Sequence, residues 1–258
     1  MRIIACDVEN KQNSNFNLHR PNGRSDYLFV LFKSSSKVMV NGEYVSADKG
    51  SFIIFDKYKI QSYFAAGQEF LHDFIHFDTE SDYEKLIFSE LPTDTLLFTP
   101  FPNLISNILT QIKNEFIDTP TKYKNEILTN LGIAFLYRIK TEIDRANSQS
   151  TAGPYFSEFY GLRMRIYKAP NLDWTVEKTS RELNLSRSYF QCLYKKLFGV
   201  SSCEDVINAR ISYAKILLSS TLYPINQIAE ECGYSSAEHF IRQFKSRVGV
   251  SPQKFRNT

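Results

Sequence analysis

The end of the chain repeats itself. The stretch from Ser186 to Ser201 (SRSYFQCLYKKLFGVS) and the stretch from Ser236 to Ser251 (SAEHFIRQFKSRVGVS) superpose at a shift of 50 residues. That shift places Phe190 on Phe240, Lys195 on Lys245, and Gly199-Val200-Ser201 on Gly249-Val250-Ser251. A short amphipathic segment and a tight turn precede each copy. What one copy folds into, the other must fold into as well, so the chain is expected to end in two similar helix–turn–helix units.

Local signals fix the boundaries of these helices. Asp173 or Thr175 can cap a helix running to Leu183, and Ser186 caps a second that Gly199 ends. A long connecting helix spans roughly Cys203 to Leu218. Pro224 opens another helix at its first turn, and Gly233 ends it. Ser235 or Ser236 caps the last major helix, which Gly249 and Pro252 terminate.

Each repeated helix divides into two faces. Phe190, Leu193, Tyr194 and Leu197 form an apolar stripe, with Ser188, Gln191, Cys192 and Lys195 opposite at helical spacing. In the second copy Phe240, Phe244 and Val248 point inward, and Glu238, Ile241, Arg242 and Lys245 face out. A helix that reads a DNA groove needs this division, one face anchored in a core and the other offering donors and acceptors to base edges. Gln191 suits adenine and Arg242 suits guanine, each bidentate pair discriminating by about 1–3 kcal/mol. Glu238 could accept from cytosine or orient Arg242 one turn on. Arg187, Lys195, Lys196, Lys245 and Arg247 suit phosphate, which fixes register without reading sequence.

Charge is distributed to match. From residue 155 onward the chain holds 15 Lys+Arg against 9 Asp+Glu, a net +6, whereas residues 1–154 hold 16 against 19, a net −3. A basic back half behind a mildly acidic front half places the expected polyanion contact at the C-terminus. With 43% hydrophobic and 23% charged residues, the composition is that of a globular protein. No stretch approaches the ~20 apolar residues of a membrane span, and Met1–Asp7 carries no apolar run of signal-peptide length. The four cysteines lack metal-ligand spacing, and two fall in apolar helical patterns that read as buried thiols. A cytoplasmic setting without membrane contact is the expectation.

Residues 27 to 78 read as short strands separated by turns. The runs are Tyr27–Phe32, Val38–Val40, Glu43–Val45, Ser51–Phe55, Ile60–Phe64 and Phe70–Phe77, with turn signals at Asn41-Gly42 and Asp48-Lys49-Gly50. That rhythm predicts a jelly-roll barrel. Beyond Asp82 the period turns helical. Leu104, Ile108, Ile112 and Phe116 make one stripe, and Ile127, Leu131, Phe135, Ile139 and Ile143 make another, suited to packing on the barrel or against a second subunit. The small polar stretch from Asn147 to Pro154 reads as a linker. The expected class is α+β, in which a barrel with packed helices (1–147), a linker (148–154) and an all-α domain (155–258) follow one another.

The segments Ala214-Lys215-Ile216-Leu217-Leu218, Ile225 to Tyr234, His239 to Lys245 and Gly249-Val250-Ser251-Pro252-Gln253-Lys254-Phe255-Arg256 closely resemble the signature of the AraC/XylS family of bacterial transcription regulators. The likeness covers about 95 residues, Leu162 to Arg256. It implies that the helices from Ser186 and Ser236 enter adjacent major grooves of a double-stranded operator. It places base readers at Ser188, Gln191, Cys192, Glu238, His239 and Arg242. Three positions depart from the family pattern: Ser180, where alanine is usual; Cys203, where a large apolar residue is usual; and Cys192, a poor hydrogen-bonder. The front half resembles the family's cupin-like effector domain more weakly, through His19-Arg20-Pro21-Asn22-Gly23-Arg24, the following strands, Tyr63 and His72-Asp73-Phe74. That resemblance implies an effector pocket of Arg20, Tyr63, His72 and Phe74 for a sugar or related metabolite.

The expected protein is an activator that meets RNA polymerase and a homodimer through the helices between residues 104 and 146, without enzymatic activity, cofactor or bound metal. Two other classes compete with it. One is a metal-dependent cupin enzyme fused to a DNA-binding domain, since His72 and His76 share parity on one strand and His19 lies nearby. Against it, the usual His-x-His with a nearby Glu and a later His is absent. The other is an adaptor whose tandem helices bind protein, which salt would leave undisturbed.

Overall fold

Every residue from Leu28 to Phe32 is buried, with no polar–apolar alternation, so this strand must be covered on both faces. Its two sets of side chains enter two different cores. Leu28, Val30 and Phe32 meet Val38, Phe55, Tyr63 and Phe70, while Phe29 and Leu31 meet helical residues such as Ile105, Leu109 and Phe135. In the computed structural model, which describes residues 1–152 and 155–257, that strand lies at the centre of the larger of two sheets.

The strands are β1 (Arg2–Asn13), β2 (Asn17–Arg20), β3 (Tyr27–Phe32), β4 (Ser36–Val40), β5 (Glu43–Ala47), β6 (Ser51–Phe55), β7 (Gln61–Ala65), β8 (Glu69–Asp78) and β9 (Leu97–Phe98). One sheet runs β1-β8-β3-β6-β9 and the other β2-β7-β4-β5, antiparallel throughout. Two interlocked four-strand sets in this order are a jelly roll, extended at one edge by β9. The β4–β5 hairpin turns at Asn41 and Gly42, both at positive φ (52° and 86°), as the tight turn anticipated there requires.

Three helices, α1 (Asp82–Ser89), α2 (Pro102–Ile117) and α3 (Lys124–Ala152), contribute to the core on the outer face of the larger sheet. The phase of the α2 stripe differs from the sequence reading. Ile105, Leu109 and Ile112 are the buried residues of α2, whereas Leu104, Ile108 and Phe116 are half-buried flanks. In α3, Phe135 and Ile139 are buried, but Ile127 is 39% exposed. A wide apolar face lets one-residue shifts look equally periodic. The expected linker is also partly helical, because α3 runs through residue 152 and no residue in 148–152 breaks a helix; residues 153 and 154 lie outside the described residues. β1 and β2 were not anticipated, since their sequences are dominated by polar residues.

The chain divides into two compact units, Met1–Ser148 and Gln149–Thr258. The second holds α4 (Phe156–Lys168), α5 (Val176–Glu182), α6 (Arg187–Phe198), α7 (Ser202–Ser220), α8 (Ile225–Glu231), α9 (Ala237–Val248) and α10 (Pro252–Arg256). Pro252 opens α10 at its first turn; Gly249 alone, at φ 86°, ends α9. No helix among the described residues is long and apolar enough to cross a membrane.

Candidate nucleic-acid interface

Each half of the C-terminal unit is built from the same local devices. In the first, Thr175 caps α5 by accepting from Lys178 N, and Ser186 caps α6 by accepting from Tyr189 N. Between them Asn184 adopts φ 55°, while Leu185 N bonds Ser180 O (2.9 Å) and Asn184 N bonds Arg181 O (3.0 Å). This paired closure turns the chain sharply out of the helix. The second half repeats it with Gly233 at φ 79°, Tyr234 N on Ala229 O (2.9 Å) and Gly233 N on Glu230 O (2.8 Å). Ser236, not Ser235, caps α9 through His239 N.

The two halves are not identical in length. Ser186 and Ser236 are 50 residues apart, but the caps Thr175 and Pro224 are 49 apart. The second turn therefore holds one more residue than the first.

The faces of α6 and α9 separate as expected. Phe190 and Tyr194 are fully buried and Leu193 is nearly so; Phe240 and Phe244 are their counterparts in α9. Ser188, Gln191, Cys192, Glu238, His239 and Arg242 are all exposed. So are Arg187, Lys195, Lys196, Lys245 and Arg247. Arg187 pairs with Glu177 at 2.7 Å and Arg247 with Glu204 at 3.1 Å, so a phosphate would have to replace a carboxylate there. Glu238 takes a bond from Ser236 Oγ at 2.8 Å, and among the described residues no ion pair joins it to Arg242. That leaves the Arg242 guanidinium presented to solvent.

The cysteines sort differently from the sequence reading. Cys192 and Cys203 are exposed, Cys6 is half-buried and Cys232 is buried, where desolvation pushes its thiol up to about 12. Cys192 lies on the outer face of α6, opposite the stripe through Phe190 and Leu193, as its helical spacing places it. Ser180 is buried and returns its hydroxyl to Glu177 O at 3.2 Å, which makes its polarity tolerable inside the unit.

In the barrel, Arg20, Tyr63, His72 and Phe74 line one cavity of about 220 Å³, joined by Asn10 and Phe16 from the unanticipated first strand and the turn after it. Arg20 Nη1 donates to Gln61 Oε1 at 3.1 Å. His72 is 3% exposed, and its Nδ1 has no partner among the described residues. Burial pushes His72 down to about 4, against the opposing pull of Asp73 and of the bond to the Asn10 backbone. The ring is therefore neutral at pH 7, with one nitrogen a donor and the other an acceptor. Burial also pushes the Tyr63 hydroxyl up. His76 lines the same cavity, but its Nδ1 lies 3.0 Å from buried Asp26, which Arg24 also grips. His19 Nδ1 lies 3.0 Å from Ser62 Oγ. Among the described residues no three His, Cys, Asp or Glu side chains are grouped to hold a metal ion, so the metal-enzyme reading has no support.

Comparison with known proteins finds similarity to proteins described as regulators. A family described as "Helix-turn-helix domain" matches residues 179–258. The Msm operon regulatory protein of Streptococcus mutans is 27% identical over 162 residues, covering 59% of this chain and 55% of its own length. The chain thus spans about half of that relative. The arabinose operon regulatory protein of Escherichia coli is 24% identical over 258 residues, covering 93% of this chain and 84% of its own length. The C-terminal domain of the response regulator yesN from Fusobacterium nucleatum is 28% identical, with a TM-score of 0.36, covering 38% of this chain and 96% of that one.

Proposed function

We propose, from the premise that the C-terminal unit is a helix–turn–helix domain of the AraC/XylS type, that the chain is a sequence-specific DNA-binding transcription regulator controlled by a small molecule in its barrel. The observation that carries the first part is the pair α6 and α9, each capped by serine, anchored by buried aromatics and presenting polar side chains outward. Base edges supply specificity to such helices and phosphates supply most of the affinity. Activation and RNA polymerase contact are expected from the family likeness, and dimerisation from the apolar stripes of α2 and α3.

Salt tests the electrostatic half. Lys195→Ala is expected to weaken binding to all DNA sequences alike and to reduce the slope of log affinity against log salt by about 0.9. Titrating labelled duplex at several salt concentrations measures this. A slope near zero in the unaltered protein would mean that the helices bind something other than DNA.

The effector half is supported by the chemistry of the cavity. Arg20 donates, His72 Nδ1 can donate or accept, and Phe16 and Phe74 supply apolar faces. Such a lining suits a small polyhydroxylated molecule such as a sugar, whose hydroxyl would give Nδ1 its missing partner. An arabinose operon regulator among the relatives accords with this reading.

The state of His72 has a consequence for stability. The unfolded chain protonates this ring near its ordinary value of 6.5, whereas the folded protein holds it neutral down to about 4. Between those values the unfolded state binds more protons, so stability is lost as pH falls from about 6.5 toward 4. The full shift corresponds to about 3 kcal/mol. Urea unfolding of the barrel at pH 7 and pH 4.5 should therefore show a smaller acid loss in His72→Gln than in the unaltered protein. Equal losses would show that the ring is solvated rather than held neutral.

A further inference from the structure

The two helix–turn–helix units have separate apolar cores. The first gathers Phe159, Leu162, Phe190 and Tyr194, the second Ile228, Phe240 and Phe244. The connecting helix α7 lends Val206 and Ala209 to one and Ala214, Leu217 and Leu218 to the other. With no shared core, the separation and angle between α6 and α9 depend on α7 and on the contacts that cross from one unit to the other.

Apart from the Arg247–Glu204 ion pair, the crossing contacts described here centre on Arg210, midway along α7. Its Nε donates to Pro170 O at 3.0 Å and its Nη2 to Leu172 O at 3.4 Å, both in the loop between α4 and α5 of the first unit. The guanidinium also lies 5.4 Å from the ring centre of Tyr234, in the turn of the second unit. Backbones meet here too. A Cβ on Gly233 would lie 2.8 Å from both Cα and O of Asn171, and φ at Gly233 is +79°, so only glycine lets the turn seat against the loop. Trp174 Nε1 holds that loop through Ala169 O at 2.8 Å. On its other side Tyr234 passes the constraint to α9, donating to Gln243 Oε1 at 2.8 Å and meeting the His239 ring edge-on at 5.5 Å.

We propose that this clasp, loop 170–172 to Arg210 to Tyr234, fixes the two reading helices as one rigid pair and thereby sets the half-site spacing the protein accepts. Arg210 is a positioning residue in this account: it acts through Tyr234 and the loop, and needs no DNA contact of its own. The inference rests on the DNA-binding reading. Spacing is a sensitive readout, because one added base pair moves a half-site by about 3.4 Å and rotates it by about 34°. A rigid pair cannot follow such a change; a pair hinged on α7 alone can.

The experiment uses the full chain and duplexes carrying two half-sites at the preferred spacing, one base pair longer and one shorter. In the unaltered protein either change is expected to weaken binding by at least about tenfold. In Arg210→Ala the three affinities should fall within about threefold of one another, with binding to a single half-site unchanged. Arg210→Lys, which keeps a donor for Pro170 O, should fall between. An Arg210→Ala protein that keeps the full spacing preference overturns the proposal. If that variant loses helix content, Arg210→Gln carries the same comparison.

A DNA-free arm separates the clasp from the DNA reading. Spin labels on Cys192 and on Lys245→Cys, in a Cys6→Ser, Cys203→Ser background, report the distance between α6 and α9. A broader distance distribution in Arg210→Ala supports the clasp, and an unchanged one overturns it, even if the unaltered protein binds no DNA. Absence of any DNA binding would sink the DNA reading alone.

Discussion

Asp205→Ala is expected to destabilise the first helix–turn–helix unit by about 2–3 kcal/mol, chiefly the cost of leaving the buried Tyr194 hydroxyl without its acceptor. Asp205 is 1% exposed and accepts from three groups, Arg163 Nε at 2.7 Å, Tyr167 OH at 3.0 Å and Tyr194 OH at 2.8 Å. Tyr194 is fully buried, so its hydroxyl cannot turn to water without disrupting the core, whereas the Arg163 guanidinium, stacked 4.6 Å over Phe198, keeps partial access to solvent. Burial and the neighbouring carboxylate together push the Tyr194 hydroxyl well up, which keeps it a donor at any working pH.

The chain's single tryptophan makes the measurement local, since Trp174 packs against the first core. Denaturation followed by tryptophan fluorescence should shift by the full amount in Asp205→Ala and by roughly half of it in Asp205→Asn, which keeps the shape and loses the charge. Loss of less than about 1 kcal/mol would place the aspartate among ordinary solvated ion pairs.

Arg242→Ala is expected to cost about 1–3 kcal/mol of binding to the cognate site and to relax preference at one base position. The side chain is exposed on α9, its neighbour Glu238 one turn back accepts from the capping Ser236, and among the described residues no ion pair to a carboxylate must be broken first. Arg247→Ala is the contrasting control, because its guanidinium already rests on Glu204. Its loss should be smaller and sequence-independent. Competition binding against single-base variants of the site distinguishes the two. Equal losses on all sequences would move Arg242 from base reading to phosphate contact.

Much of the C-terminal unit was legible because its signals are local. Ser186 and Ser236 start helices, Gly199 and Gly249 end them, and the repeat makes each copy a control on the other. The extra residue in the second turn escaped, since the repeat is registered on the reading helices and not on the helices before them. The Asp205 network and the Arg210 clasp escaped for a different reason. Their partners lie 38 to 42 residues away in sequence for Asp205 with Tyr167 and Arg163, and no periodicity encodes such pairings. In the barrel, the strands read from β-branched and aromatic runs were placed well, but β1 and β2 are mostly polar and left no such trace. The cavity residues Asn10 and Phe16 were lost with them. The α2 stripe was seen with the wrong centre, because half-buried flanking residues share the period of buried ones, whereas Phe135 and Ile139 at the centre of the α3 stripe are buried as read.

Selection of bound duplexes from a random pool, repeated with Gln191→Ala and Arg242→Ala, tests the central claim most directly. The account predicts an enriched site of two blocks whose centres lie one helical turn apart, about 34–36 Å. Gln191→Ala should blur one block and Arg242→Ala the other. A single block, or blurring of the same block by both substitutions, would contradict a tandem reader.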